Sequence, residues 1–148
     1  MSVNKSLYLS GPIEFTDSAY VWRNHMYRDL HEDYDIIIPD LIPCPFTKKD
    51  DEYGAWVKNN FILPDMKDVM VCNNFFVYID HVYSSGTYGE LSLAALLGKD
   101  IVCYLDKEIK VEKLPMWVIG CLDGAEYVKS INDAIGYYQA LINREKRK

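Results

Sequence analysis

The chain has 148 residues, 49% of them hydrophobic and 26% charged, which rules out a disordered polar chain and allows one substantial core. Its net charge of −6 disfavours the broad basic face that duplex nucleic acid needs, although a few backbone N–H groups can still hold one phosphate. Aromatic residues reach 14%, with 12 tyrosines, a residue type suited to cores, subunit contacts and the walls of pockets for planar ligands.

Leu7-Tyr8-Leu9 is a short apolar run stopped by Ser10-Gly11-Pro12, the pattern of a buried strand ending in a sharp loop. Asp17 and Ser18 offer cap chemistry for a helix to about Leu30, with Tyr20, Met26, Tyr27 and Leu30 as its inner face. A second strand is expected over 35–39, followed by a long loop through Pro43-Cys44-Pro45. Residues 52–70 read as helical, but Pro64 predicts a kink or two helices. The strongest strand signal is 74–80; a helix over 90–97 follows, closed by Gly98. Residues 101–105 form a fourth expected strand and 126–128 a weaker fifth. An amphipathic helix over 131–143, capped near Ser130 or Asn132, closes the chain ahead of a solvated tail.

Continuous apolar strands alternating with helices predict an α/β fold with a sheet covered on both faces. The expectation is one domain over residues 1–148, a Rossmann-like or flavodoxin-like three-layer sandwich with a mostly parallel five-stranded sheet. In such sheets ligands sit beyond the carboxyl ends of the strands, near a switch in strand order. Both small-residue loops, Ser10-Gly11-Pro12 and 84–89, lie at that edge.

Cys44, Cys72, Cys103 and Cys121 show no zinc-site spacing and are expected to be free thiols, so no metal or cofactor is expected. His25, His31 and His81 form no metal constellation, although His81 follows the third strand and is a candidate pocket residue. No apolar run approaches the ~18 residues of a membrane span and no leader pattern opens the chain, so a cytoplasmic protein without membrane contact is expected.

The segment Ser84-Ser85-Gly86-Thr87-Tyr88-Gly89-Glu90 sets small residues and free N–H groups ahead of a helix. Read from residue types, it is either an ordinary capped helix start or an anion-facing loop. It fits neither the dinucleotide G-x-G-x-x-G nor the P-loop pattern.

Tyr8 and Gly11-Pro12 near the start, Asp65 ahead of the third strand, and Ser85-Gly86-Thr87-Tyr88-Gly89-Glu90 followed by Gly98-Lys99 resemble the nucleoside 2-deoxyribosyltransferase family. The likeness spans residues 7–105, with a weaker match over 114–117. It implies a retaining exchange at the anomeric carbon of a deoxyribose, through a glycosyl-enzyme ester on Glu90. It makes Tyr8 the tyrosine that orients this carboxylate, and Asp65 the aspartate that contacts the nucleobase and assists its protonation. A helix N-terminus beside Glu90 is expected to keep it ionised. Gly11, Pro12, Glu14, Ser84, Ser85, Gly86 and Thr87 become candidate substrate contacts.

Two departures leave the substrate open. Ser84 stands where members using free nucleosides often carry an aspartate, and is similar to the related deoxynucleoside 5′-monophosphate N-glycosidases. Those hydrolases carry G-S-I-R in the first loop, whereas this chain has Gly11-Pro12-Ile13-Glu14, with the wrong charge for phosphate. The competing readings are a transferase using a nucleoside and a free nucleobase, a hydrolase of 5′-monophosphates, and a silent nucleotide-binding module. Met116, with Lys113, Pro115 and Trp117, is similar to a segment that completes a neighbouring subunit's site, so a homo-oligomer is expected. Trp22 and Arg23 are expected to serve as a packing tryptophan and a surface arginine.

Overall fold

The computed structural model describes residues 5–13, 18–39, 42–80 and 84–148. Five strands, β1 (Ser6–Ser10), β2 (Asp35–Ile37), β3 (Asn74–Ile79), β4 (Asp100–Leu105) and β5 (Glu126–Val128), lie in the order β2-β1-β3-β4-β5. Every neighbouring pair is parallel. Among the described residues six α-helices accompany them: α1 (Val21–Leu30), α2 (Tyr53–Val57), α3 (Leu63–Val71), α4 (Ser85–Leu96), α5 (Met116–Cys121) and α6 (Ile131–Lys146).

The period-2 alternation of the strands explains the layers. Leu7, Leu9, Phe76 and Val102 face one side, where they meet Trp22, Met26 and Leu30 of α1 and Ala134, Ile135, Tyr138 and Ile142 of α6. Tyr8, Phe75, Val77, Ile79 and Cys103 face the other, against Val69 of α3, Leu91 and Ala94 of α4 and Val118 of α5. Each fully buried Leu, Val or Phe contributes about 1.5–3 kcal/mol relative to exposure. This is the expected three-layer α/β sandwich, with a sheet that is parallel throughout. Its strand order is the flavodoxin-like one, and the order reverses between β1 and β3. Among the described residues no helix is long and apolar enough to cross a membrane.

Several boundaries differ from the sequence reading. Helix α1 starts at Val21 behind a turn at residues 18–20, with no side-chain cap; Asp17 lies outside the described residues. Its buried face is Trp22, Arg23, Met26 and Leu30. Tyr27 falls at the rim of that stripe, 47% exposed, and stacks on His31 instead.

Pro64 marks a real change of helix type. A π-helical turn over Lys58–Ile62 joins α2 to α3, and the Leu63 N–H reaches back five residues to the Lys58 carbonyl. Pro64 follows at the second residue of α3, immediately after the π turn, where the hydrogen-bond register is already broken. Helix α6 continues to Lys146, through most of the tail expected to be solvated. Its cap is Ser130, which accepts from the Asp133 N–H, one of the two caps anticipated.

Helix α4 starts five residues earlier than the sequence predicts. The cap is Ser84, whose Oγ accepts from the Thr87 N–H at 3.2 Å. Gly86 and Gly89, weak helix formers, are thereby carried inside the helix.

Candidate active site

Strand β1 points Tyr8 and Ser10, two residues apart, to the same face of the sheet. Helix α4 lies on that face and turns the stripe Thr87, Glu90, Leu91 and Ala94 inward. The two stripes meet at Glu90, which is 6% exposed. The Tyr8 hydroxyl donates to Glu90 Oε2, and the Ser10 hydroxyl donates to Oε1 at 2.7 Å. Both oxygens of one buried carboxylate are thus held by hydroxyls from the carboxyl end of β1. That is where the strand order reverses.

Burial pushes the Glu90 carboxyl above the ordinary range, because the charged form loses its water. The Tyr8 and Ser10 hydrogen bonds and the charge of Arg23 oppose this shift. The phenol of Tyr8 is driven upward, first by its own burial and then by the Glu90 charge, so tyrosine stays the donor in the pair. The dipole of α4 plays a smaller part than expected. Ser85 is the first residue of α4 and Glu90 the sixth, beyond the first turn in which a helix dipole acts. Hydroxyls and a buried cation oppose the effect of burial instead, without reversing it.

Asp65 and Asp68 lie half-buried on α3. Their charges also raise the Tyr8 phenol, which puts both acids within electrostatic reach of that ring. Helix α3, which carries Asp65, packs through Val69 on the face of the sheet that presents Tyr8; Asp68 is an addition that the sequence did not single out.

Gly11 follows Ser10 in a confined place. A Cβ there would lie 2.9 Å from Trp22 Cζ2, 3.3 Å from the Tyr78 carbonyl oxygen and 3.4 Å from Arg23 Nη2, so only glycine fits without displacement. Pro12 is buried beside it. Ser84 is engaged as the helix cap, with Thr87 Oγ1 2.7 Å from its Oγ. Thr87 is buried, whereas Ser85 and Gly86 are exposed on the first turn of α4. Glu14 and His81 lie outside the described residues.

Met116 is not brought to this cluster. It stands 86% exposed on α5, beside Trp117 and Leu96 in an apolar groove between α4 and α5. Among the described residues no group of three or more His, Cys, Asp or Glu side chains has metal-site geometry. The four cysteines are free thiols, and Cys72 and Cys103 are buried in the core.

Arg23 corrects the sequence reading. It is not a surface arginine but a wholly buried one, with donors on the Leu9, Gly11, Pro12 and Ala19 carbonyls. Its charge is felt at Glu90. The one sequence signal was its place on the Trp22, Met26, Leu30 stripe. Trp22 does pack as expected, tilted against Phe76 and edge-on to Tyr78.

Known structures share this architecture. A conserved protein from Enterococcus faecalis V583 superposes with a TM-score of 0.68 at 14% identity, over 93% of this chain and 99% of that one. The CMP N-glycosidase of Clostridium botulinum gives 0.60 at 15% identity, over 93% and 99%. The 2-deoxyribosyltransferase of Bacillus psychrosaccharolyticus gives 0.63 at 18% identity, over 88% and 90%. The chain shares its fold with all three. No protein-family model and no curated protein matches the sequence.

Proposed function

We propose that the protein cleaves the N-glycosidic bond of a deoxynucleoside and passes the deoxyribosyl group to a second nucleobase. The observation that carries this reading is the buried Glu90 carboxylate held by Tyr8 and Ser10 at the switch in strand order. In the first step a Glu90 oxygen attacks C1′ and the C1′–N bond breaks. The departing base keeps the electron pair and takes a proton from water, a transfer that the Asp65 carboxylate assists, leaving a glycosyl ester on Glu90. An incoming base then attacks C1′, loses its proton to water with the same assistance and frees the carboxylate. Two inversions retain the configuration. Tyr8 and Ser10 fix the attacking carboxylate, so little reorganisation precedes attack.

The fold likeness to one 2-deoxyribosyltransferase and one CMP N-glycosidase supports glycosidic chemistry of this kind. It also favours a second reading, hydrolysis of a nucleoside 5′-monophosphate with water as acceptor. Feeding deoxyinosine and a free acceptor base separates the two, with nucleosides and 5′-monophosphates run in parallel and read by chromatography. A new nucleoside supports transfer; free base and sugar alone supports hydrolysis. Absence of turnover across the panel would leave a silent nucleotide-binding module.

The functional unit on this reading is a homo-oligomer. Leu96, Met116 and Trp117 are 81%, 86% and 68% exposed on the α4–α5 face, which a second copy would cover. Light scattering that finds a fully active monomer at micromolar concentration would overturn the oligomer.

A further inference from the structure

Arg23 grips the backbone on both sides of Ser10. Its Nε–H donates to the Leu9 carbonyl at 3.2 Å, and Nη2 donates to the Gly11 carbonyl at 2.7 Å. Nη1 donates to the Ala19 carbonyl at 2.6 Å and to the Pro12 carbonyl at 3.5 Å. The Trp22 ring lies 4.4 Å from the guanidinium carbon, and the Tyr20 ring 5.9 Å.

A guanidinium with no solvent exposure is expensive to desolvate, and an apolar side chain would pin α1 to the sheet at lower cost. What an apolar side chain lacks is the planar fork that reaches several carbonyls at once, together with a fixed positive charge. Among the described residues every hydrogen-bond acceptor of Arg23 is a neutral carbonyl, and no carboxylate lies within ion-pair distance. Among the described residues, the charged and titratable groups whose fields reach it are Glu90, Tyr20 and Tyr8. Burial lowers the guanidinium to about 10, which leaves it charged at neutral pH.

We propose that Arg23 is a positioning residue for Glu90: it holds the Leu9 and Gly11 carbonyls so that the Ser10 hydroxyl stays on Oε1. Its charge acts in the same sense, opposing the rise that burial imposes on the Glu90 carboxyl. This rests on Glu90 being the nucleophile. It extends that reading by giving the first loop a mechanical task and naming the cation that offsets burial.

The test compares wild type, Arg23→Lys, Arg23→Met, Ser10→Ala and the Arg23→Met/Ser10→Ala double variant. Each is measured for kcat, KM and the pH profile of deoxynucleoside cleavage, and for the Glu90 carboxyl titration by 13C NMR, assigned with Glu90→Gln. Arg23→Met is expected to lower kcat about a hundredfold with KM little changed. It should also raise the Glu90 pKa, moving the acid limb to higher pH. Arg23→Lys keeps the charge but not the fork, so the titration should return towards wild type while kcat recovers only in part. In the Ser10→Ala background the penalty of Arg23→Met should shrink about tenfold, because the clamp then has nothing to aim.

An unchanged Glu90 titration in Arg23→Met, or equal penalties with and without Ser10, overturns the proposal. If Arg23→Met does not fold, Arg23→Lys decides: wild-type kcat overturns the clamp, and a reduced kcat with a native thermal transition supports it. A wild type without turnover would sink the proposed function, whereas the NMR titration still decides the coupling of Arg23 to Glu90.

Discussion

Tyr8 and Glu90 stand 82 residues apart in the chain, yet the tyrosine hydroxyl donates to the glutamate Oε2 within the buried layer between β1 and α4. Two features of the sequence produce the meeting. The pleat of β1 turns Tyr8 towards α4, and the helical period of α4 turns Glu90 towards β1. The Tyr8 ring lies parallel to that of Phe75 on the neighbouring strand, with centroids 5.8 Å apart, and this stacking helps to set the direction of its hydroxyl.

Tyr8→Phe keeps this packing and removes only the donor. A hydrogen bond to a charged group contributes about 1.5–3 kcal/mol, so kcat should fall about ten- to a hundredfold while KM changes little. Steady-state kinetics on the best deoxynucleoside checks this. A wild-type kcat in Tyr8→Phe would show that Ser10 alone suffices to orient Glu90.

Glu90→Ala should abolish turnover, by about three orders of magnitude or more, with a native circular dichroism spectrum. Intact-protein mass spectrometry of wild type with substrate should show one added deoxyribosyl unit, localised to the peptide holding Glu90. Retention of more than a few per cent of the rate in Glu90→Ala would exclude nucleophilic catalysis by this residue.

The pH dependence of stability has a definite sign. Burial raises the folded-state pKa of Glu90 above its unfolded value, so folding favours the protonated carboxyl. That contribution is complete below the unfolded pKa and is lost as pH rises through the folded one. Glu90→Gln is neutral at every pH and keeps partners for both hydroxyls. It should therefore raise the melting temperature at neutral pH, and the gain should vanish as pH falls towards the unfolded carboxylate range, about 4.3. Thermal melts of the two proteins from pH 4 to 8 test it; a constant difference would contradict the assignment.

Much of this was legible in the chain, for reasons that differ by element. Strands β1, β3 and β4 are short apolar runs buried from both faces, a signal that needs no tertiary information. Glu90 and Tyr8 were singled out by the resemblance of their motifs to the nucleoside 2-deoxyribosyltransferase family, and the structure puts them in contact. The start of α4 was misread because Gly86 and Gly89 argue locally for a loop, while the Ser84 cap and the packing of Thr87 win the segment for helix. Arg23 was misread for a deeper reason. Its burial depends on carbonyls of residues 9, 11, 12 and 19 converging on one point, and no helical pattern records that convergence. Ser10 was read as part of a turn, since only α4 gives its hydroxyl a partner.

Gly11→Ala should damage both stability and rate. The added methyl meets the Trp22 ring at 2.9 Å and lies near the Arg23 guanidinium, so the first loop must shift. Overpacking of this kind typically costs about 1–3 kcal/mol. Chemical denaturation should show a lower midpoint, and Trp22→Phe in the same chain should recover part of the loss. A Gly11→Ala protein as stable and as active as wild type would mean that the loop yields freely.

Ser84→Ala separates the nucleoside reading from the nucleotide one. Its Oγ already accepts from the Thr87 N–H and lies 2.7 Å from Thr87 Oγ1, so its first task is to cap α4. Replacing such a cap by alanine costs about 1 kcal/mol, and Ser84→Ala should melt a few degrees lower. A serine used only as a cap should lose kcat/KM by the same factor for a deoxynucleoside and for its 5′-monophosphate. A serine that also donates to a phosphate loses more on the monophosphate, because a charge-assisted hydrogen bond disappears with the hydroxyl. Equal factors are expected under the transferase reading. A loss confined to the monophosphate, in a protein that prefers it to the nucleoside, would move the assignment to the hydrolase.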